Sequence, residues 1–303
     1  MTQSKHAPET YVKLAEANPF FSNKKIADLL GVDEASVRRA YKKAGYKRGL
    51  IPPNEDIPRA LETVDIPITL YWDALLIADV HCPLYDREYI YVAIKDAINS
   101  GIGTVVFCGD FWQGDQYSNY FPKQITLESE LSGGVELMEW ILGFFDKAYF
   151  IKGNHDYRYV KVRGYKVSFV QAMQDAFKGL SAEAMDKIEF SNLDHMYLTG
   201  PFLGDLDGTQ DWYVCHPQAY SRQPLAGARA LTTIHDMNVA TAHSHHCARG
   251  YGPNGKHQAM ELGGFFDVSR TAYLQASTAF PKWTPGYAIY QDGKMRLESP
   301  AWS

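Results

Sequence analysis

This chain has 303 residues, of which 46% are hydrophobic and 21% charged, a composition that suits a soluble globular protein with a large core. No stretch approaches the roughly 18 consecutive apolar residues of a membrane span, and residues 1–6 lack the apolar core of a secretory signal. The net charge of −5 is uneven, because residues 1–50 contain ten Lys or Arg and five Asp or Glu. We therefore predict a cytoplasmic protein without a membrane partner, whose basic head binds a polyanion.

Residues 22–45 show two short amphipathic helix patterns around a glycine. The apolar faces consist of Ile26, Leu29 and Leu30 in the first pattern and of Val37, Ala40 and Tyr41 in the second. Gly31 stands where the first helix would end, and Asp33 stands where the second would be capped. This pattern resembles a helix-turn-helix, which predicts a small all-α domain over residues 1–48.

The second of these helices carries a cluster of basic side chains. In a helix-turn-helix it would be the helix that enters the DNA groove. The residues expected to contact nucleic acid, DNA in preference to RNA, are Ser36, Arg38, Arg39, Lys42 and Lys43. The alternative is that the head only packs or dimerises, because charged helix faces are usually solvated.

A proline-containing stretch separates the head from the rest of the chain. Residues 49–67 include four prolines and no long apolar cluster, which is typical of a linker. We predict a single body domain over residues 68–303. It should contain helices at 86–100, 127–146, 167–177 and 224–236, strands at 259–266 and 272–276, and a hairpin at 287–297 turned at Asp292-Gly293.

Five further short β-rich runs in the body each end in a polar motif. The runs cover residues 74–78, 104–108, 148–151, 211–215 and 239–242, and the motifs are Asp79-Val80-His81, Gly109-Asp110, Gly153-Asn154-His155-Asp156, His216 and His243-Ser244-His245. Short β-rich runs indicate buried strands. Because ligand-bearing groups of sheet enzymes lie just past the carboxyl ends of strands, we expect the five motifs to share one crevice.

Seven side chains in these motifs can bind metal ions: Asp79, His81, Asp110, Asn154, His216, His243 and His245. Imidazole, carboxylate and carboxamide groups together suit manganese, iron, zinc or nickel better than magnesium or calcium. A tetrahedral zinc takes four ligands at most, so this set favours two ions that share a bridging carboxylate, for which Asp110 is central. We predict two divalent ions, manganese first, with iron, zinc or nickel as alternatives.

The order D-x-H, G-D, G-N-H-D, H and x-H-x-H over residues 79–245 resembles the calcineurin-like metallophosphoesterase superfamily. The resemblance implies an α/β fold, a four-layer sandwich of two β-sheets flanked by helices, with the metals at the strand ends. Family members often show G-D-x-x-D in the second motif, whereas the next acid here is Asp115. The resemblance also implies that the first ion is held by Asp79, His81, Asp110 and His245, and the second by Asp110, Asn154, His216 and His243.

The reaction implied by the resemblance is phosphoester hydrolysis by a hydroxide that bridges the two ions, without a covalent intermediate. His155 would protonate the departing oxygen or stabilise it electrostatically. Asp156 would orient that imidazole or raise its pKa. Arg158 and Arg222 are candidate contacts for the substrate phosphate.

The most specific function that we predict is a phosphodiesterase of nucleic acid, in particular a DNA nuclease. The GNHD form of the third motif resembles the nuclease branch of the superfamily, and the basic head suits a polyanion. One alternative is a phosphomonoesterase that acts on a phosphoprotein, a nucleotide or a polynucleotide end. The other is a DNA-binding regulator with an inactive phosphoesterase body, against which the complete ligand set argues.

Two loops and four cysteines near the motifs each allow two interpretations. Two loops, residues 111–122 and 157–166, combine aromatic and cationic side chains. One interpretation is that these side chains bind unstacked nucleotides. The other is that the aromatic residues form the core of a lid. The cysteines lie within two residues of proposed ligands, and we predict packed side chains rather than further ligands. They are Cys82, Cys108, Cys215 and Cys247.

Overall fold

The computed structural model describes residues 6–18, 21, 23–46, 65–118, 125–200, 211–270 and 283–299. The chain forms two compact units, a head over Met1–Val64 and a body over Asp65–Ser303. The predicted linker over residues 49–67 lies outside the described residues except for its last three. The domain boundaries of 1–48 and 68–303 therefore stay predictions.

The described part of the head consists of three helices, α1 Pro8–Ala17, α2 Asn23–Leu30 and α3 Glu34–Lys43. Gly31 follows α2 with a left-handed φ of 63°. Asp33 caps α3, because its side chain accepts a hydrogen bond from the N–H of Ser36 at 2.7 Å. The predicted end of the first helix and the predicted cap of the second are both confirmed.

The core of the head forms where α3 packs against α1 and α2. Leu29, predicted on the apolar face of α2, is instead 54% exposed. The inward face of α2 is centred between Ile26 and Ala27, and a helix turns Leu29 away from that direction by about 110°. The core residues are Tyr11, Ala15, Ile26, Ala27, Val37, Ala40 and Tyr41.

The body alternates strands and helices along the chain. The strands are β1 Thr69–Leu70, β2 Ala74–Ile77, β3 Thr104–Phe107, β4 Lys147–Phe150, β5 Ile188–Phe190, β6 His195–Leu198, β7 Trp212–Cys215, β8 Asn238–Thr241, β9 Cys247–Tyr251, β10 Gln258–Leu262, β11 Tyr287–Gln291 and β12 Lys294–Glu298. The helices are α4 Arg87–Asn99, α5 Leu127–Leu142, α6 Arg158–Lys161, α7 Phe169–Ala176, α8 Ala182–Asp186 and α9 Ala226–His235, with short 3-10 turns at Asp115–Tyr117 and Val268–Arg270.

The described strands form two six-stranded sheets. The order in the first sheet is β12-β11-β2-β3-β4-β5, and β2 to β5 run parallel. The order in the second is β1-β6-β7-β8-β10-β9, in which β7, β8 and β10 run parallel. Parallel neighbours place their carboxyl ends at one edge of a sheet, which is what the predicted site requires.

Alternate side chains of the first sheet face different layers. Leu75 and Val105 pack with helices α4, α5 and α7. Leu76 and Val106 pack with β7, β8 and β10 of the second sheet, whose other face contacts α9. The predicted four-layer α/β sandwich is thus confirmed, and burial on both faces explains why these strands are continuously apolar in sequence. No helix in the described ranges is long and apolar enough to cross a membrane.

Most other predicted elements of the body agree with the structure. The four predicted helices correspond to α4, α5, α7 and α9, and the predicted hairpin is the antiparallel pair β11 and β12, turned at Asp292 and Gly293 with positive φ. The predicted strand 259–266 is shorter, since β10 ends at Leu262 before Gly263, which has a φ of 78°. The predicted strand 272–276 lies outside the described residues. The four cysteines are buried free thiols, as predicted.

Gly134 in α5 allows the buried indole of Trp112 to lie directly against the helix. A methyl group at Gly134 would overlap that ring, whereas at Gly133 it would make an ordinary contact with Pro83 at 3.4 Å. We expect Gly134→Ala to lower the free energy of unfolding by about 1–3 kcal/mol, because Trp112 must shift. Gly133→Ala is the matched control and should raise it by up to about 1 kcal/mol, because alanine favours a helix. Urea denaturation measures both, and equal effects would contradict this packing.

Candidate dinuclear metal site

The seven predicted ligands follow β2, β3, β4, β7 and β8, and their side chains converge. Five of these residues have a positive φ, an uncommon conformation for residues with a Cβ atom. Such backbone costs on the order of 1–3 kcal/mol per residue and concentrates at functional sites. The five residues are Asp79, His81, Asp110, His243 and His245.

The first group of candidate ligands consists of Asp79, His81 and His245, all buried. The Nε2 atoms of the two imidazoles are 3.3 Å apart. The Oδ1 atom of Asp79 lies 3.2 Å from Nε2 of His245 and 3.8 Å from that of His81. Because His81 Nδ1 donates a hydrogen bond to Gln113 Oε1 at 2.8 Å, its Nε2 carries a lone pair. One carboxylate and two imidazoles therefore converge on one position.

The second group consists of Asp110, Asn154, His216 and His243. His216 Nδ1 donates to the carbonyl oxygen of Cys108 at 3.0 Å, which leaves a lone pair on Nε2. That Nε2 lies 3.0 Å from Asn154 Oδ1 and 3.3 Å from Asp110 Oδ2. A ring nitrogen of His243 lies within 4.8 Å of the ligand atoms of Asp110 and His216. Three acceptors thus face one another, an arrangement that needs a proton or a cation between them.

Asp110 lies between the two groups. Its Oδ2 atom faces His216, while its carboxylate also lies within 4.8 Å of ring nitrogens of His81 and His155. Its Oδ1 atom accepts a hydrogen bond from the backbone N–H of His155 at 2.7 Å. This is the position predicted for the bridging carboxylate.

The surroundings of two carboxylate oxygens, Asp79 Oδ1 and Asp110 Oδ2, show whether cations fit the site. Both are buried and make no hydrogen bond of normal geometry with a described residue, although a proton on His216 Nε2, 3.3 Å away, can compensate Asp110 Oδ2 when no cation does. An ionised group buried in that state is strongly destabilising unless an opposite charge compensates it. The carboxylate, imidazole and carboxamide donors suit borderline divalent cations. The residues present therefore fit two divalent ions.

The pKa of His216 indicates that the second group attracts positive charge. Although burial disfavours the imidazolium form, the adjacent Asp110 carboxylate raises the pKa of His216 to about 9. Burial lowers the pKa of His243 and lowers that of His81 well below its usual value. A bound cation would replace the proton on His216 and leave neutral imidazoles as ligands.

His155 and Arg158 lie side by side next to Asp110. The Nδ1 atom of His155 donates to the carbonyl of Gln113 at 2.8 Å, and its Nε2 accepts from Arg158 Nη2 at 3.0 Å. Burial, helped by the charge of Arg158, lowers the pKa of His155 to about 4. To donate a proton as predicted, His155 would first have to gain one against the guanidinium charge.

Asp156 contacts backbone donors instead of the imidazole that it was predicted to orient. Its Oδ1 atom accepts from the N–H of Trp112 at 2.9 Å, and its Oδ2 atom accepts from the N–H of Gly153 at 3.2 Å. Because both ring nitrogens of His155 have other partners, Gln113 and Arg158, Asp156 does not orient this imidazole by a hydrogen bond, and its effect on the pKa of His155 stays a prediction. The carboxylate joins the second motif to the third, while the carbonyl of Gln113 orients His155.

Gln113 connects three residues of the site and was missed by the sequence analysis. Its side-chain oxygen accepts from His81, and its main-chain oxygen accepts from His155 Nδ1 and Arg158 Nη1, each at 2.8 Å. The residue occupies the position of the second acid in the family's G-D-x-x-D pattern. That position is the signal that could have identified it.

Glu130 is buried beneath the loop that carries Gln113. Its carboxylate accepts hydrogen bonds from the N–H of Gly114 at 2.5 Å, the N–H of Asp115 at 3.3 Å and the hydroxyl of Tyr159 at 3.0 Å. Burial raises the pKa of Glu130 to about 7. No sequence signal marks this acid, because its burial depends on the loop folding over α5.

The two predicted phosphate-binding arginines differ in position. Arg158 is half-buried and hydrogen-bonded to His155. Arg222 is exposed and makes no hydrogen bond or ion pair with any residue that the structure describes. The structure therefore brings Arg158, but not Arg222, into contact with the cluster.

The aromatic residues of the two loops divide between the core and the surface. Trp112 and Tyr159 are buried, with ring centroids 6.0 Å apart, as expected for a lid core. Tyr157 is half-buried and Tyr165 is 64% exposed, so these two remain accessible to a ligand. Residues 119–122 of the first loop lie outside the described residues.

The predicted nucleic-acid contacts lie on α3 of the head. Arg38 pairs with Glu34 at 2.6 Å, and Arg39 donates to Ser36 at 3.0 Å. The side chains of Lys42 and Lys43 make no hydrogen bond or ion pair within the described ranges. The α3 cationic surface consists of the exposed side chains of Arg38, Arg39, Lys42 and Lys43, with Ser36 partly exposed beside them. Contact with DNA stays a prediction.

The calcineurin-like phosphoesterase family model matches residues 74–247, more than half of the chain. No curated protein sequence matches this chain. Similar solved structures include the Escherichia coli phosphoesterase Yfce, 11% identical over 75% of this chain and 98% of that one, with a TM-score of 0.36. A dimetal phosphatase from Danio rerio is 11% identical over 77% of this chain and 96% of its own, with a TM-score of 0.36. The Pseudomonas putida nuclease MPE is 14% identical over 74% of this chain and 87% of its own, with a TM-score of 0.30. Similarity at this level carries no information on activity.

Gln113→Leu removes the acceptor that orients His81 without changing any candidate ligand. We expect the variant to bind Mn²⁺ about 10- to 100-fold more weakly, because a ligating imidazole that loses the partner of its other nitrogen loses orientation and basicity. Gln113→Glu keeps an acceptor there and is the control, expected to bind nearly as the wild type does. Calorimetric titration of metal-free protein measures both affinities. Equal weakening would show that the contact does not matter.

Glu130 should make the wild type progressively less stable than Glu130→Gln as the pH rises from 5 to 8. Its pKa in the folded protein is raised from 4.5 to about 7. Between these two pH values the folded protein binds a proton that the unfolded chain does not, so the free energy of unfolding falls as the pH rises from 4.5 to 7. At about 1.4 kcal/mol per pH unit, the wild type should lose about 2–3 kcal/mol relative to the variant. Urea unfolding across this range measures the difference, with Glu128→Gln on the exposed side of α5 as the control. A constant difference would contradict the expectation.

Proposed function

The chain belongs to the calcineurin-like phosphoesterase family, and we propose that it is a phosphodiesterase that hydrolyses nucleic acid, DNA in preference to RNA. Family membership makes it a metal-dependent hydrolase of phosphoester bonds. The observation that supports a nucleic-acid substrate is the α3 cationic surface of the head, carried on the same chain as the phosphoesterase body. A polyanion held by the head would have a raised local concentration at the body.

We propose that the two candidate groups hold two divalent ions, manganese in preference to iron, zinc or nickel. When bound, such ions activate a water molecule and neutralise charge on the phosphoryl group. The chain prepares the ligands in advance, since Gln113 orients His81 and the carbonyl of Cys108 orients His216. The first ion would be held by Asp79, His81, Asp110 and His245, and the second by Asp110, Asn154, His216 and His243.

Arg158 is the side chain that we propose to stabilise negative charge on the phosphoryl group. Its guanidinium is fixed by the carbonyl of Gln113 at 2.8 Å and by His155 Nε2 at 3.0 Å. A guanidinium held in this way can donate to phosphoryl oxygens with little loss of freedom. His155 would then act in its neutral form, by holding Arg158 where the departing oxygen gains charge. This corresponds to the electrostatic role predicted for His155 rather than to proton donation.

The proposal is tested by Mn²⁺-dependent turnover of bis-p-nitrophenyl phosphate, p-nitrophenyl phosphate and fluorescent single-stranded and double-stranded DNA. We expect the wild type to cleave the diester and the DNA. Asp110→Asn should lose at least about 100-fold in kcat/KM, because the shared carboxylate is weakened as a ligand of both ions. EDTA should abolish turnover and Mn²⁺ should restore it, while circular dichroism checks that the variant is folded.

Two outcomes would contradict this proposal. Hydrolysis of the monoester without cleavage of the diester or of DNA would identify a phosphomonoesterase. An absence of all turnover, with DNA binding retained equally by Asp110→Asn, would identify a DNA-binding regulator with an inactive body.

The role of the head is tested by a charge-matched pair of double variants. We expect Lys42→Gln/Lys43→Gln to weaken binding to duplex DNA and to reduce the slope of log K against log salt by up to about 1.8, since each lysine that leaves a phosphate lowers it by about 0.9. Lys13→Gln/Lys24→Gln removes the same charge from α1 and α2 and should change binding less. Electrophoretic mobility shifts at several salt concentrations measure both. Equal weakening would mean that the head contributes net charge alone.

A further inference from the structure

A cavity of about 310 Å³ adjoins the second group of candidate ligands. Two of its lining residues, Asn154 and His216, belong to that group. A phosphate held by the second group for hydrolysis would therefore lie next to this cavity. We call the cavity the lysine–tyrosine pocket. Its lining includes Lys152, Asn154, Tyr157, Lys161, His216 and Pro217.

Local structure places two ammonium groups against one aromatic ring in this pocket. Lys152 directly follows β4, and its N–H donates to the carbonyl of Leu193 at 2.9 Å, which fixes the chain there. Tyr157 and Lys161 are four residues apart across α6 and so share one side of the helix. The Nζ atoms of Lys152 and Lys161 lie 5.1 Å and 5.6 Å from the centre of the Tyr157 ring, within the range of a cation–π interaction.

The pocket keeps a positive charge. Neither Lys152 nor Lys161 forms an ion pair with a carboxylate in the part of the chain that the structure describes. The acid in the lining, Asp194, has its Oδ1 atom 3.1 Å from Nδ1 of His195. Asp194 also interacts electrostatically with Lys152, so two lysines against one carboxylate leave the lining with one net positive charge, which attracts an anion.

We propose that the lysine–tyrosine pocket binds a second phosphate group of a polynucleotide, the neighbour of the phosphate that is hydrolysed. This inference rests on the proposed function and specifies it further. A small ester carries a single phosphate and would leave the pocket without an anion. The pocket would therefore favour a polynucleotide chain over small monoesters and small diesters, independently of the head.

The first test measures binding without hydrolysis. Fluorescence anisotropy of labelled single-stranded tetrathymidylate with the full chain in EDTA compares two double variants, Lys152→Gln/Lys161→Gln and Lys147→Gln/Lys178→Gln. The second pair removes the same charge from exposed positions elsewhere on the body. Both are made in the Lys42→Gln/Lys43→Gln background to reduce binding by the head. We expect Kd to rise about tenfold for the pocket pair and less than about twofold for the control pair. The slope of log K against log salt should be smaller in magnitude by about 0.7 or more for the pocket pair than for the background protein. Equal changes in both pairs would overturn the proposal.

The second test measures selectivity. The ratio of kcat/KM for tetrathymidylate to kcat/KM for bis-p-nitrophenyl phosphate should fall about tenfold in the pocket pair, because only the oligonucleotide carries a second phosphate. An unchanged ratio would overturn the proposal, since the lysines would then affect both substrates alike. If the wild type hydrolyses neither diester, the proposed function fails. The binding test then still decides whether the pocket holds a polynucleotide phosphate.

Discussion

The architecture of the body depends on two carboxylates that are buried without sufficient hydrogen-bond donors. Asp79 and Asp110 are both fully buried, and each points one unpaired oxygen at an imidazole nitrogen. Uncompensated charge in a low-dielectric interior is strongly destabilising, so this arrangement favours cations at the two positions. Strand ends from two different sheets must meet to build it, and the left-handed backbone of five candidate ligands is tolerated there because the surrounding layers hold it.

A second set of buried polar contacts holds the loops that carry these ligands. Asp156 accepts hydrogen bonds from the backbone of both the second and the third motif, and Glu130 accepts three more from beneath the second. Gln113, on the loop between them, can therefore present one oxygen to His81 and another to His155 and Arg158. Ligands oriented in this way lose little freedom when an ion binds, which is why such contacts affect metal affinity.

Charge is distributed unevenly along this chain. The overall charge is −5, to which residues 1–50 contribute +5 and residues 51–303 contribute −10. Positive charge is exposed on α3 of the head and in the lysine–tyrosine pocket of the body, the two places proposed to meet a polyanion. Family chemistry accounts for the reaction class, whereas these two cationic surfaces are what would distinguish a polynucleotide from a small phosphate ester.

The sequence by itself determined the features that have local signals. Apolar runs ending in Asp, Asn or His predicted five strands and all seven candidate ligands, because a strand buried on both faces leaves a continuous apolar run and its ligand follows directly. In the head, Gly31 and Asp33 marked the helix ends because backbone conformation and capping are local. Only the tertiary structure decided the contacts between segments distant in sequence, since they depend on which loop folds against which helix. These are the partners of Gln113, Glu130 and Asp156, the position of Arg158 beside His155, and the exposure of Leu29 and Arg222.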